Sequence, residues 1–345
     1  MKTRLSLLSA VAAGAVTSLS AATGDVVMDG TVDAAYGAPL SIQNVQTQFG
    51  DSNLGQIGFA NGSELDVAYG FIDEKGGYLR LFFAGNLESN FNKLEVFIDY
   101  KDGGQNTLRG DNPDVDFNGL NRMGAQGKAP GLTFDEGFFA DFYVTTTCGG
   151  DPFSTFANTA QILTDGGGAG EYIGSGSAGP RGVLNGSNGT LIAYNNSNIR
   201  GVTGGTEAAS GEGVTTGIEI ALPLSLIADW GGGDLKVCVF INGGGHDFVS
   251  NQVLGGAGGG TGNLGEPRLV NFQAIFGDQF FVVPGLGGAT CVGDLNDDSF
   301  VDAADLGILL GSWGSCPGCA ADLNDDGFVD AADLGILLGA WGPCQ

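Results

Sequence analysis

The chain has 345 residues and a formal net charge of −26, with 13 Lys plus Arg against 39 Asp plus Glu. So few basic residues rule against a surface built for nucleic-acid phosphates or anionic lipid, and the acidity favours metal cations as partners. A hydrophobic content of 42% with 22 Phe argues against disorder and for a packed core.

The chain opens with "MKTRLSLLSAVAAGAVTSLSAATG", in which Lys2 and Arg4 precede a short apolar run, with small residues at Ser20 and Ala22. That pattern predicts a secretory signal over residues 1–22, too short and too rich in Ala and Ser to span a bilayer. Its removal takes Lys2 and Arg4 away and the net charge from −26 to −28. Export would make the chain extracellular and its six cysteines legible as disulfides. Cys148 and Cys238 lie in the body of the chain and are expected to pair with each other. Cys291, Cys316, Cys319 and Cys344 belong to its C-terminal end.

Residues 23–284 read as β-structure joined by glycine-rich loops. In "NKLEVFIDY", Leu94, Val96, Ile98 and Tyr100 share one face and Glu95 and Asp99 the other. "YLRLFFAGNL", "FFADFYVTTTC", "GIEIALPLSL", "LKVCVFIN" and "QFFVV" are further short strands rich in β-branched and aromatic residues. No helical period interrupts them, which predicts a mainly β fold, one antiparallel β-sandwich. Residues 149–215 read as long polar loops, as in "DGGGAGEYIGSGSAGPRG" and "NGSNG". Residues 285–290 read as a linker.

Within the body the densest polar patch is "DYKDGGQNTLRGDNPDVDFNGLN". There Asp99, Asp102, Asp111, Asp114, Asp116 and Asn118 offer oxygens to a further calcium over 111–118, or simply form a solvated loop. Arg109-Gly110-Asp111 is a tripeptide common enough to arise by chance. His246, the single histidine, leaves no His-based zinc cluster and reads as an ordinary loop residue. No G-x-S-x-G elbow accompanies it, and "GGAGGGTGNLG" lacks the Lys and helix of a phosphate loop. Glu136 and Glu219 stand in or beside strands without an evident second catalytic acid, so the expectation is a non-enzyme.

The C-terminal end repeats itself. "DLNDDSFVDAADLGILLGSWGSC" begins at Asp294 and "DLNDDGFVDAADLGILLGAWGPC" at Asp322. Each holds a twelve-residue loop with Asp294, Asn296, Asp298, Asp302 and Asp305 at positions 1, 3, 5, 9 and 12, matched by Asp322, Asn324, Asp326, Asp330 and Asp333. Calcium takes six to eight oxygens, and an EF-hand-type loop supplies them at these positions with a backbone carbonyl at 7, here Phe300 or Phe328. Position 9 usually acts through a water. Val301 and Val329 at position 8 fit a short strand pairing the two loops. Leu306, Leu309, Leu310 and Trp313 then recur at helical spacing, copied by Leu334, Leu337, Leu338 and Trp341. From Cys291 to Gln345 there are ten Asp and no Lys, Arg or Glu, so the aspartates read as ligands for two Ca2+ ions, not as a solvated acidic tail.

On these residues the region 291–345 resembles a dockerin, the duplicated calcium loop–helix module of secreted bacterial proteins. Its "GC" flanks and "CPGC" junction resemble the GC-type variety. The resemblance implies a small all-α calcium module and a cohesin-like or other surface partner. Two departures stand out. Ser299 replaces glycine at position 6 of the first loop, and Ala303, Ala304, Ala331 and Ala332 replace the hydroxyl residues that read a cohesin. Repeat symmetry permits Cys291–Cys316 with Cys319–Cys344, or Cys291–Cys344 with Cys316–Cys319. Antiparallel helices, as in the dockerins, select the second pair.

The body opens with "VMDGTVDAAYG", continues with a strand ending in Asp99, and closes with "GIEIALP". That order resembles the DOMON-like and family-9-type carbohydrate-binding sandwiches, which implies a ligand, often a glycan, bound without chemistry. Trp230 is the single tryptophan there, so Tyr36, Tyr69, Tyr143 and Tyr172 are the alternatives for a sugar platform. The combined expectation is a secreted, non-catalytic protein, held to an extracellular assembly or cell surface by its calcium-dependent end. A polysaccharide-degrading enzyme with the same tail, or a structural envelope protein, are the alternatives.

Overall fold

The computed structural model describes residues 26–51, 54–116, 119–178, 182–286, 292–296, 300–316, 318–324 and 326–343. The expected signal over 1–22 and most of the linker lie outside them. The body's strands are β1 (Ser41–Ile42), β2 (Glu64–Asp73), β3 (Tyr78–Asn86), β4 (Asn90–Asp99), β5 (Phe142–Gly149), β6 (Ser154–Gln161) and β7 (Gly170–Gly176). They continue with β8 (Leu184–Asn185), β9 (Leu191–Tyr194), β10 (Gly217–Pro223), β11 (Leu235–Asn242), β12 (Val249–Leu254) and β13 (Phe281–Val283). One sheet runs β1-β2-β3-β10-β9-β8 and a second β12-β11-β4-β5-β6-β7, with β13 pairing β11. The paired strands are antiparallel.

Alternation explains how two sheets share one core. Leu79, Leu81 and Phe83 of β3 and Ile218, Ile220 and Leu222 of β10 meet Leu94, Val96 and Ile98 of β4 and Val237, Val239 and Ile241 of β11 in a single apolar cluster. The arrangement is sandwich-like, and the body is mainly β, as expected.

The other face of β4 does not meet solvent. Phe97 on that face meets Phe134 edge-on, is tilted against Tyr143 and is stacked on Phe240, beneath loops that contribute Leu108, Leu120, Leu132, Phe138 and Phe272. The centre of this sheet, at β4, β5 and β11, is therefore covered on both sides, and Glu95 is 0% exposed.

This two-sided burial overturns the expected body disulfide. Cys148 on β5 joins the cluster between the sheets, whereas Cys238 on β11 joins the cluster on the opposite face, and both thiols are free. Side chains pointing to opposite faces of one sheet cannot meet. Burial pushes the Cys148 thiol up to about 12.

The region 149–215 also differs from expectation. It carries β6, β7, β8 and β9, and β7 falls inside the supposed loop "DGGGAGEYIGSGSAGPRG". Gly170, Gly174 and Gly176 hide the strand from any propensity argument, while β6 supplies its hydrogen-bond ladder.

The C-terminal repeats hold β14 (Phe300–Val301), α1 (Ala303–Gly311), β15 (Gly314–Ser315), β16 (Phe328–Val329), α2 (Ala331–Gly339) and β17 (Gly342–Pro343). The module is not all-α, and among the described residues its two loops do not pair with each other. Val301 pairs with Gly342 and Val329 with Gly314, so each loop strand takes the segment after the other repeat's helix. Val301, Val329, Leu309 and Leu337 are fully buried in the module's own core. The predicted apolar stripe is only half used: Leu310, Trp313, Leu338 and Trp341 are 48–52% exposed.

Candidate metal centre and buried polar clusters

Each helix of the repeats starts on its own loop. Asp302 caps α1, its Oδ1 accepting from Ala304 N at 2.7 Å, while Asp305 Oδ2 accepts from Asp302 N at 2.8 Å. Asp330 and Asp333 repeat this reciprocal capping at α2. Such a cap stabilises a helix start by about 1 kcal/mol, so positions 9 and 12 serve the backbone as well as any ion.

Position 12 also reaches back across the loop. Asp305 Oδ1 accepts from Leu295 N at 2.7 Å, and Asp333 Oδ1 from Leu323 N at 2.8 Å. In the second loop Asp322 accepts from Asp326 N and Gly327 N, Asn324 Oδ1 from Asp326 N, and Asp326 Oδ1 from Phe328 N. Gly327 has φ +89°, a conformation that favours glycine. Asp298 and Ser299 of the first loop lie outside the described residues.

The donor set suits calcium: it is all oxygen, at EF-hand spacing, and no cationic side chain of the module neutralises it. Among the described residues, however, no three His, Cys, Asp or Glu side chains gather as a metal-binding group. The carboxylates of the second loop turn instead to backbone N–H groups.

Cys316 and Cys319 form a disulfide, as the second pairing requires. Cys291 and Cys344 lie outside the described residues. The pairing of Phe300 with Pro343 brings the strand before Cys344 alongside the first loop.

The acids weighed as a further calcium site or a solvated loop go different ways. Asp99 accepts from Phe139 N and lies 3.6 Å from Lys236, and Asp111 pairs with Arg109 at 2.7 Å on the surface. Asp116 turns inward to Lys93 and His246. Asn118 lies outside the described residues. The tyrosine platforms shrink to one: Tyr36, Tyr69 and Tyr143 are buried in the core, and Tyr172 alone is exposed.

His246 is not an ordinary loop residue. It is fully buried, with Nδ1 2.6 Å from Glu95 Oε1 and Nε2 3.1 Å from Asp116 Oδ2. Lys93 Nζ reaches Asp116 at 2.7 Å, and Tyr143 OH and Asn242 Nδ2 donate to Glu95. Burial alone would lower the imidazole's pKa, but the two carboxylates outweigh it and raise it to about 9. Burial likewise opposes the Glu95 charge, and His246, Tyr143 and Asn242 hold that carboxyl below its usual range nonetheless. His246 (φ +51°) and Asp116 (φ +58°) both take left-handed backbone, so the loops are bent to deliver these groups. One weak signal in the sequence pointed here: Glu95 stands between Leu94 and Val96 in the apolar middle of its strand.

Glu219 is a staple. Its carboxylate accepts from Tyr36 OH at 2.9 Å and from Asp29 N and Gly30 N at 3.2 and 3.3 Å. The Asp-Gly opening and the late Glu-x-Ala-Leu-Pro strand, 190 residues apart, thus touch. Burial raises the Glu219 carboxyl to about 7. Glu136 is exposed elsewhere.

A second acidic pair, absent from the sequence reading, sits at the start of β2. Glu64 and Asp66 are 1% and 0% exposed, and the amide nitrogen of Asn198 lies 2.7 Å from Glu64 Oε1 and 2.9 Å from Asp66 Oδ2. Burial first, and for Glu64 also the neighbouring Asp66, pushes the two carboxyls up to about 9 and about 8.

The surface carries two shallow clefts. One, of about 280 Å3, is lined by the polar Thr159, Gln161 and Glu171 together with the apolar Phe142 and Leu226. The other, of about 290 Å3, is lined by Gly110, Asn121, Arg122 and Gln126. No helix among the described residues is long and apolar enough to cross a membrane. Compared with known proteins, the chain matches no family model, no curated protein and no solved structure.

Proposed function

We propose that this is an exported, non-catalytic binding protein whose body, a β-sandwich, recognises a ligand and whose C-terminal repeats form a dockerin-like anchor folded around two calcium ions. The observation that carries this reading is the pairing of duplicated oxygen-rich loops with duplicated exposed apolar residues. Leu310 and Trp313 of one repeat are matched by Leu338 and Trp341 of the other, each about half exposed. Large apolar side chains left in water by a module with its own core mark a docking face. A protein partner such as a cohesin-like domain or another surface protein fits it. Asp294, Asn296, Asp298, Asp305 and their counterparts hold the ions, with the carbonyls of Phe300 and Phe328.

For the body, a polysaccharide is the favoured ligand. The cleft at Thr159, Gln161 and Glu171 offers hydroxyl, amide and carboxylate groups together with apolar side chains, the mixture a sugar ring requires.

Calorimetric titration of the full chain with calcium is the first test, with tail binding of two ions expected and lost in Asp322→Ala and Asp294→Ala variants. A glycan-array screen beside a hydrolysis screen of the same polysaccharides is the second. Retention of a glycan without cleavage supports the reading, and turnover of any polysaccharide overturns its non-catalytic part.

A further inference from the structure

The body holds buried acids of two kinds. Glu95 and Asp116 face Lys93 and His246, whereas no Lys, Arg or His of the described residues forms an ion pair with Glu64 or Asp66. A further acid, Asp51, adds to the repulsion on the Glu64 carboxylate. Two carboxylates taken out of water with no counter-charge are costly, and natural sites avoid this by protonation or by a bound cation.

We propose that Glu64, Asp66, Asn86 and Asn198, with the carbonyl oxygen of Arg200, form a buried calcium site in the body, separate from the C-terminal loops. Three oxygens converge on one nitrogen: Glu64 Oε1, Asp66 Oδ2 and Arg200 O lie 2.7, 2.9 and 2.7 Å from Asn198 Nδ2. An amide nitrogen has two hydrogens, so one of the three is left unserved. The point they surround has the chemistry of a cation.

Asn86 supplies an independent sign. It is fully buried, its Nδ2 wedged 2.9 Å from Glu64 Oε1 and 3.1 Å from Asn198 O, and its Oδ1 has no hydrogen-bond partner. A buried amide oxygen left alone is expensive, by about 1–3 kcal/mol. A half-turn of the amide, which changes no heavy-atom position beyond exchanging O and N, aims that oxygen at the same cluster. Turning the Asn198 amide as well gives up the bond its Oδ1 accepts from Arg200 N at 3.0 Å, and the two carboxylates, two amide oxygens and the carbonyls of Asn198 and Arg200 then reach the six hard ligands calcium asks for. The all-oxygen set disfavours zinc, and the pair of carboxylates balances a divalent charge.

The sequence builds this spot deliberately. A bulge between Leu65 and Val67 leaves Asp66 as the extra residue of β2, and its Oδ1 is fixed by Val202 N at 2.8 Å. Gly201, at φ +98°, lets the covering loop approach so closely that a Cβ there would sit 1.8 Å from Asp66 Oδ1.

The test uses full-length chain with the tail ligands removed (Asp294→Ala, Asp305→Ala, Asp322→Ala, Asp333→Ala). Calcium content after equilibrium dialysis should be one ion per chain, and calcium should raise the melting midpoint of the body. Adding the near-isosteric Glu64→Gln and Asp66→Asn should weaken that remaining site at least 100-fold and abolish the shift. If the tail-deficient chain binds no calcium, or still binds one ion after Glu64→Gln and Asp66→Asn, the site does not exist. If the acid-to-amide variant fails to fold, the count on the tail-deficient chain decides alone. The intact chain should bind three ions, so loss of the tail reading and loss of this site leave different counts.

Discussion

The network around His246 and the C-terminal loops solve the same electrostatic problem in opposite ways. In the body, buried Glu95 and Asp116 meet an imidazolium and an ammonium supplied by the chain itself. In the repeats the described aspartates meet backbone N–H groups and, at Asp326, the Asn324 amide, because the module has no Lys or Arg. A protein that carries its own counter-charge is indifferent to dissolved cations, whereas one that does not is built to depend on them. The difference teaches that one chain can hold buried acids against its own cations in one place and leave acids without any cationic side chain in another.

Calcium removal should therefore have the largest effect and the most local one. EDTA should abolish the protection of residues 291–345 against proteolysis while the His246 network keeps its own part of the body closed to hydrogen exchange. Simultaneous loss of both would break the comparison.

His246→Ala comes next. It leaves Glu95 and Asp116 facing each other across a cavity and should destabilise the body by about 3–5 kcal/mol in urea unfolding. A change under about 1 kcal/mol would show that Lys93 and the neutral donors suffice.

The same network predicts a pH profile. Because the folded pKa of His246 is raised to about 9, its contribution is complete below its unfolded value near 6.5 and disappears as pH rises through about 9. Glu95, held below its ordinary value, contributes above about 4.5 and loses that contribution as pH falls through its lowered pKa. Urea midpoints of the body at saturating calcium should therefore fall toward pH 10, and the fall should be absent in His246→Ala.

Smaller effects sharpen the contrast within the repeats. Asp302→Asn keeps a capping oxygen but removes a charge, whereas Asp302→Ala removes both. Melting of the module in saturating calcium should fall by about 1 kcal/mol more for the Ala variant. Ser299→Gly, which copies Gly327 (φ +89°) of the second loop, should raise the first loop's affinity several-fold, since left-handed backbone costs a non-glycine residue about 1 kcal/mol. Calorimetry that finds the first loop already the tighter site would reverse this ranking.

The repeats were legible because their information is local. Each loop and the helix that follows it fall within one run of residues, so spacing alone places the helices, whereas the capping by Asp302 and Asp330 was not read. Even there, which apolar residues are buried was not readable. The stripe Leu306, Leu309, Leu310, Trp313 is uniform in sequence, but a two-helix module is too small to cover all of it, and Leu309 is enclosed while Leu310 and Trp313 are not. The strand exchange between Val301 and Gly342 was likewise hidden, since a two-residue strand has no period to detect.

By itself, the sequence determined the β-rich character of the body, the faces of β4, and the loop–helix duplication at the C-terminus, because alternation and short-range spacing are properties of neighbouring residues. Only the tertiary structure decided which acids are buried and what they meet. Glu95 and His246 are 151 positions apart, Glu64 and Asn198 are 134, and Glu219 reaches Gly30 across 189. It also set Cys148 and Cys238 on opposite faces of one sheet, because registers of three neighbouring strands, not the spacing of two cysteines, fix which side each thiol takes. Charge pairing and disulfide geometry act through space over a few ångströms, and the pairing of distant strands is what brings such groups that close.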